Sequence, residues 1–433
     1  MTASRKLAVV SCLALLLVLS GGAFQLRGTQ TGTEAPAAFA TPTLSNNPGT
    51  QSVSNGMPLI PGETFAEDQA TFEESDGIDE GLGPVYNARS CADCHQDPVT
   101  GGVSQVTELR IGHFDSKGKF VNPTITINGG LNNIPNRSLI NDRAACPEAH
   151  ERVPLTEYVR ALRMSLNVLG DGFVEAIDDN TLIAIAAAQP GLSGGKVKGE
   201  YISVPVLEAP GQPLRIGRFG WKDQHASLLS FSGDAYINEQ GITSRIFPTD
   251  TTGVCKDPNI PDPEDHVDGI GMADVDHFAS FIRATQAPPV DAVLLATPDG
   301  QAGQALFSSI GCATCHVTSI TTAPANTVIN GGTFTVPDAL GNKIIHPYSD
   351  FLLHDVATGD GIVQNGPSDT AFKLRTAPLW GLRTHDRLMH DGLSGSREEA
   401  ILRHGNEASD ARKKYSGLSN TQRSQLLTFL NSL

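Results

Sequence analysis

Cys91-Ala92-Asp93-Cys94-His95 and Cys312-Ala313-Thr314-Cys315-His316 are the two stretches on which the reading of this chain turns. Each is a C-x-x-C-H element. Two thiols three positions apart can reach the two vinyl groups of one haem, and the histidine that follows then lies beneath the iron as its proximal ligand. With 7 Cys and 12 His in 433 residues, a shuffled chain would hold only roughly 0.003 such pentapeptides. A redox C-x-x-C or half a zinc site does not require the adjacent histidine, and no second cysteine pair at zinc-finger spacing accompanies either motif. The motifs therefore predict two covalently bound haem c groups. Cys91, Cys94, Cys312 and Cys315 are the attachment points, and His95 and His316 are the proximal iron ligands.

The composition suits a globular chain around such groups. Hydrophobic residues make up 39% and charged residues 18%, while aromatics are only 6% beside 44 Gly and 27 Pro. Long loops wrapped around buried macrocycles fit that mixture. A formal net charge of -16 argues against nucleic acid or an anionic membrane surface as partner. Of the cysteines outside the motifs, Cys12 lies in the leader, which leaves Cys146 and Cys255 as an expected disulfide.

Residues 1–24 read as a signal peptide: Arg5 and Lys6, then the apolar run Leu7 to Leu19, then Gly21 and Ala23 as a small-x-small cleavage site. The expected location is periplasmic, with an uncleaved anchor as the lesser alternative. Residues 25–57 read as a flexible linker or a tail on the surface. An N-terminal haem domain with insertions is expected over 58–288 and a C-terminal haem domain over 289–433, divided at Pro288-Pro289. The predicted fold is mostly α: two cytochrome c-like domains with long loops and little β. Helices are expected over 156–169, 171–188, 224–240, 274–286, 300–310 and 398–404, with a last one opening at Ser419, and a short strand over 121–128. Asp262, Glu264, Asp265 and Asp268 offer carboxylates for calcium, but without EF-hand spacing they read as a solvated acidic loop.

A weak internal repeat links the halves. Leu162-Arg163, Asp171-Gly172 and Glu175-Ala176-Ile177 answer to Leu374-Arg375, Asp391-Gly392 and Glu399-Ala400-Ile401. Together with Asn87-Ala88-Arg89-Ser90, Ile111-Gly112-His113, the run Tyr348 to Asp355, Leu374 to Leu382, His390-Asp391-Gly392 and Glu398 to His404, these stretches resemble the di-haem c-type oxidoreductases. That family includes peroxidase and thiol oxidoreductase types and is related to the bacterial di-haem cytochrome c peroxidases. The resemblance runs from about residue 58 to 433.

It implies a peroxidase-like enzyme in which electrons pass between two haems to reduce hydrogen peroxide. A small cytochrome or cupredoxin would be the redox partner, and calcium is an optional further ligand. His113 matches a displaceable distal histidine of the first haem. His404 stands where the peroxidases carry a methionine on the second haem, a change expected to lower that haem's potential. Met389 and Met272 are the alternative sulfur ligands. Glu175 is the candidate proton-transfer base, and Trp221 the candidate conduit between the haems. Arg137, Arg375 and Arg383 are candidate partners for the haem propionates. The competing function is a bis-histidine electron-transfer cytochrome, or oxidation of thiols or a partner protein, without peroxidase activity.

Overall fold

The computed structural model describes residues 32–39, 54–128 and 133–433. The stretch expected to be a signal peptide and most of the expected linker lie outside the described residues. From Thr31 onward the chain forms one compact unit. Among the described residues no helix is long and apolar enough to cross a membrane.

The mostly-α expectation is overturned, because 31% of residues are helical and 16% lie in strands, spread over many small sheets. The largest sheet centres on Thr107–Phe114. This strand pairs antiparallel with Val159–Met164, from Thr107 opposite Met164 to Gly112 opposite Val159, and also with Leu139–Ile140 and Phe120–Val121. The helix expected over 156–169 is thus a strand. Its apolar spacing misled because Leu162 faces solvent while Arg163 points inward. Arg163 can do so because Asp360, itself buried, accepts from it at 2.7 Å. A neutralised buried arginine reverses the apolar-in pattern on which strand recognition depends.

The short strand expected over 121–128 splits in two around Pro123, as Phe120–Val121 and Thr126–Ile127. Behind the sheet sit Val85, Ile111, Ile125, Ile127 and Ile140. A Cys146–Cys255 disulfide, Cα–Cα 6.1 Å, closes this layer.

The helical expectations fare better elsewhere. Asp171–Glu175 and Asp179–Ser193 share one predicted helix. Leu228–Ala235 continues into a wide π-type turn, Tyr236–Gln240. Asp274–Ala284 packs on Phe65–Glu73 through Phe72, Phe278 and Phe281. Pro298–Ile310 lies against the last helix, Asn420–Ser432. Gly303 is required there, since a Cβ would come within 2.0 Å of the Gln425 carbonyl. The last helix opens with the expected capping box, Ser419 with Gln422. Part of the stretch read as linker lies on the body: Thr33–Glu34 adds a parallel strand to Lys343–Ile345.

Candidate functional site: two motif turns and a cavity

Both motifs fold in the same way. Cys91–Asp93 and Cys312–Thr314 each make one 3-10 turn. The N–H of His95 then returns to the Cys91 carbonyl at 3.1 Å, and that of His316 to Cys312 at 3.0 Å. This places each histidine over its own cysteine pair. His95 Nδ1 lies 3.2 Å from the Gly102 carbonyl and His316 Nδ1 2.9 Å from the Tyr348 carbonyl. A carbonyl can only accept, so Nδ1 carries the proton and Nε2 presents a lone pair to a metal. Burial lowers both imidazole pKa values, His316 to about 4. A phenylalanine packs on each ring, Phe72 at 6.3 Å from His95 and Phe307 at 6.1 Å from His316.

All four motif cysteines are unpaired. Burial drives their thiol pKa values upward, with Cys94 and Cys312 at about 12. A thiol kept neutral by burial is a poor redox or zinc thiolate.

The second motif opens into a cavity of about 400 Å³. Phe307, Ile310, Leu379, Leu382, Leu426 and Leu430 supply its apolar walls, and Cys312, Cys315 and His316 its edge. His404 lines the same cavity, close enough to His316 to oppose its protonation. It stands at the end of helix Arg397–Arg403, which Ser396 caps by accepting from the Glu399 N–H at 3.1 Å. His404 Nδ1 is held by the Ala400 carbonyl at 2.7 Å, which frees Nε2. The next residue, Gly405, has φ -137 and sends its N–H to the Val356 carbonyl at 2.8 Å.

Of the three arginines weighed for propionates, only Arg375 lines the cavity. It is buried, with its Nε lacking a partner. Arg397 offers a second buried, unpartnered Nε on the cavity wall. Arg137 is spent on Glu151 at 2.7 Å, and Arg383 on the Pro289 and Leu433 carbonyls. Thiols, a primed imidazole, apolar walls and two orphaned cationic donors together fit a haem. Met389 also lines the cavity, in the left-handed region at φ 68. Met272 is a buried residue ahead of helix Asp274–Ala284.

The remaining predicted residues fall as follows. His113 sits on the central strand with Nδ1 2.8 Å from a Glu157 carboxylate oxygen, which leaves Nε2 without a protein partner among the described residues, as at His404. Glu175 is fully buried and accepts from Arg283 at 2.7 and 3.0 Å, from Asn330 at 2.9 Å and from the Leu228 N–H at 2.8 Å. Burial would raise its pKa, but Arg283 and the other donors outweigh this and hold it ionised. It has neither the exposure of a surface carboxylate nor a free oxygen for a substrate proton. Trp221 lines the cavity, donates to the Met164 carbonyl at 2.8 Å and meets His390 edge-on at 6.0 Å.

The acidic loop does not fit calcium at its tightest cluster. Lys256 Nζ sits among Asp250, at 2.5 Å, Asp262 and Glu264, at 3.7 Å, and supplies the positive charge itself. Asp268 is turned to His277 at 3.2 Å.

Two groupings escaped the sequence reading. His354 is clamped by Asp350 at 2.8 Å and Glu407 at 2.9 Å, with Cys315 Sγ at 3.8 Å. The run Tyr348 to Asp355 carried that signal only as a resemblance. Asp360 bridges Arg163 and Lys222, the latter at 3.0 Å, and nothing local in the sequence marks it.

Residues 155–433 match the protein-family profile described as "Di-haem oxidoreductase, putative peroxidase". No curated protein sequence matches the chain. Among solved structures, hydrazine synthase of Kuenenia stuttgartiensis is similar at 14% identity, with 92% of this chain and 99% of that one covered and a TM-score of 0.34. A MauG-like protein associated with microbial copper homeostasis shows 18% identity over 37% of this chain and 52% of its own, with a TM-score of 0.23. A variant of the diheme peroxidase BthA from Burkholderia thailandensis shows 14% identity over 75% and 94%, with a TM-score of 0.29.

Proposed function

We propose that this chain, which belongs to the di-haem oxidoreductase family, is an exported di-haem c-type enzyme that reduces hydrogen peroxide with electrons drawn from a small cytochrome or cupredoxin. The observation that carries the reading is the inequality of the two motifs. At the second, His404 and His316 share one cavity with free Nε2 atoms. At the first, the expected distal histidine, His113, stands on the central strand with Nδ1 on Glu157 and does not line that cavity.

Covalently held haem at both motifs would supply iron that exchanges electrons and, at an open position, binds peroxide. The residues divide between the two motifs. His316 and His404 would hold the iron of the second haem, which would store electrons. His95 would hold the iron of the first, which would supply the peroxide chemistry. Trp221, on the wall between Met164 and His390, is the proposed path for electrons. Arg375 and Arg397 anchor propionates. Glu175 serves as a structural counter-ion to Arg283 rather than as the base. Export accounts for the leader and agrees with the Cys146–Cys255 disulfide, which persists in oxidising compartments. The 58–288 and 289–433 division is proposed to follow the two motifs.

The test is peroxide consumption by the haem-loaded protein with a reduced small cytochrome as donor. Turnover that follows donor oxidation supports the proposal. Electron exchange with the donor but no peroxide consumption would assign the chain to electron transfer alone.

A further inference from the structure

His354 stands on the short strand Leu353–His354, which pairs antiparallel with Leu374–Arg375. It is buried, and each of its ring nitrogens meets a carboxylate. Nε2 lies 2.8 Å from Asp350 Oδ2, and Nδ1 lies 2.9 Å from Glu407 Oε2. Nδ1 is also 3.8 Å from Cys315 Sγ, so its hydrogen is shared between Glu407 and the second motif. The packing is close enough that a Cβ on Gly199 would come within 3.0 Å of the ring.

Helix Asp179–Ser193 ties this group to the motif. Gln189 Nε2 donates to Asp350 Oδ2 at 2.6 Å and to the Thr314 carbonyl at 3.1 Å. The Leu352 N–H donates to Asp350 Oδ1 at 3.0 Å. The Lys198 and Asp355 N–H groups donate to Glu407 Oε2 and Oε1 at 2.8 and 3.0 Å. Every oxygen of the two carboxylates thus already accepts from an N–H outside the ring, and none is left to carry a proton of its own. An acceptor-only carboxylate at each ring nitrogen then requires an N–H at each nitrogen, which makes the ring an imidazolium. Burial works against that charge, but Asp350 outweighs it and carries the imidazole well above its ordinary pKa. Cys315, Asp350 and His354 are grouped as metal donors could be, yet a ring with two N–H groups has no lone pair for a metal.

We propose that His354 is a permanent imidazolium held against the Cys315 sulfur, and that it raises the reduction potential of the haem attached there. The inference rests on the haem placement proposed above and names what sets the potential of the electron store. A positive charge and a hydrogen-bond donor beside the attachment sulfur favour the reduced, less positive iron. His404 in place of a sulfur ligand pulls the potential the other way. The trio carries one net negative charge, but its positive member is the one that meets the sulfur, and N–H donors offset each carboxylate. His354 acts through Cys315 and is a positioning residue. At the first motif the neutral Gln240 amide lies 3.6 Å from Cys91 Sγ instead.

Spectroelectrochemical titration of the full-length, haem-loaded protein tests this. His354→Gln should weaken electron uptake by one haem about tenfold, a fall of about 59 mV for a one-electron couple, and leave the other haem unmoved. The affected couple should be the one that His404→Ala also moves. His354→Lys keeps the charge and should return that couple most of the way to the wild-type value. Should His354→Gln fail to fold, Glu407→Gln provides the second reading. It removes the more exposed carboxylate and leaves Asp350 to hold the ring, so it should shift the same couple upward. No shift in His354→Gln, an equal fall in His354→Lys, or a Glu407→Gln couple that stays level or falls would overturn the proposal. In a protein carrying both haems, those results leave the peroxidase proposal standing, since peroxide consumption decides that reading. Absence of haem from the second motif would overturn both.

Discussion

At both motifs a single 3-10 turn lays a histidine over its own cysteines, a backbone carbonyl holds Nδ1, and a phenylalanine packs on the ring. Beyond that turn the surroundings part. The second motif faces an apolar chamber with His404 on its wall. The first is bordered by Glu239, which Asn87 holds, and by a sheet in which Arg110 and Arg163 balance Glu108. The motif decides which group is held, and the shell around it decides what that group can do. An apolar shell with two imidazoles favours storing electrons. A polar, charged shell favours chemistry that consumes protons along with electrons.

The comparison breaks most severely at Asp360, where the sheet flanking the first motif meets the loops of the second half. Asp360→Ala leaves Arg163 and Lys222 buried without their counter-ion, which should cost about 3–5 kcal/mol in denaturant unfolding. A smaller loss would mean that the two cations find other partners.

Glu175→Gln comes next. Removing the charge that faces Arg283 should cost about 2–3 kcal/mol of stability while leaving the pH profile of peroxide turnover unmoved. A changed profile with intact stability would return Glu175 to the role of base.

Acid gives the third test. Burial raises the Asp360 pKa, but Arg163 and Lys222 outweigh it and hold the value at about 2, against 3.8 for the free group. The carboxylate therefore contributes stability above pH 3.8 that is lost as pH falls from 3.8 towards 2, amounting to about 2 kcal/mol. Asp360→Asn should remove that part of the acid dependence. The smallest effect is expected from Ser396→Ala. Loss of the cap should cost about 1 kcal/mol and loosen the helix that ends at His404, read as broadening of the second haem's spectrum.

The two motif turns were legible because they are local: five consecutive residues carry two thiols and an imidazole together. His404 was legible because a short, capped helix after His390-Asp391-Gly392 fixes its position. Arg403 reinforces this by binding Asp391 at 2.9 Å. The strand at 159–164 was not legible, because the partner that permits Arg163 to face inward lies almost two hundred residues on, at Asp360. Glu175 was mistaken for the same reason. Its partners Arg283 and Asn330 come from distant segments, and only the folded chain shows that all its acceptor capacity is taken.

The inequality of the two sites is tested most directly by electron paramagnetic resonance of the ferric and half-reduced haem-loaded protein, with and without cyanide. The account predicts one low-spin bis-histidine signal that ignores cyanide in every state and is lost in His404→Ala. It predicts a second signal, from the first motif, that cyanide alters. Two signals that both ignore cyanide in both oxidation states, or a His404→Ala protein with an unchanged spectrum, would contradict it.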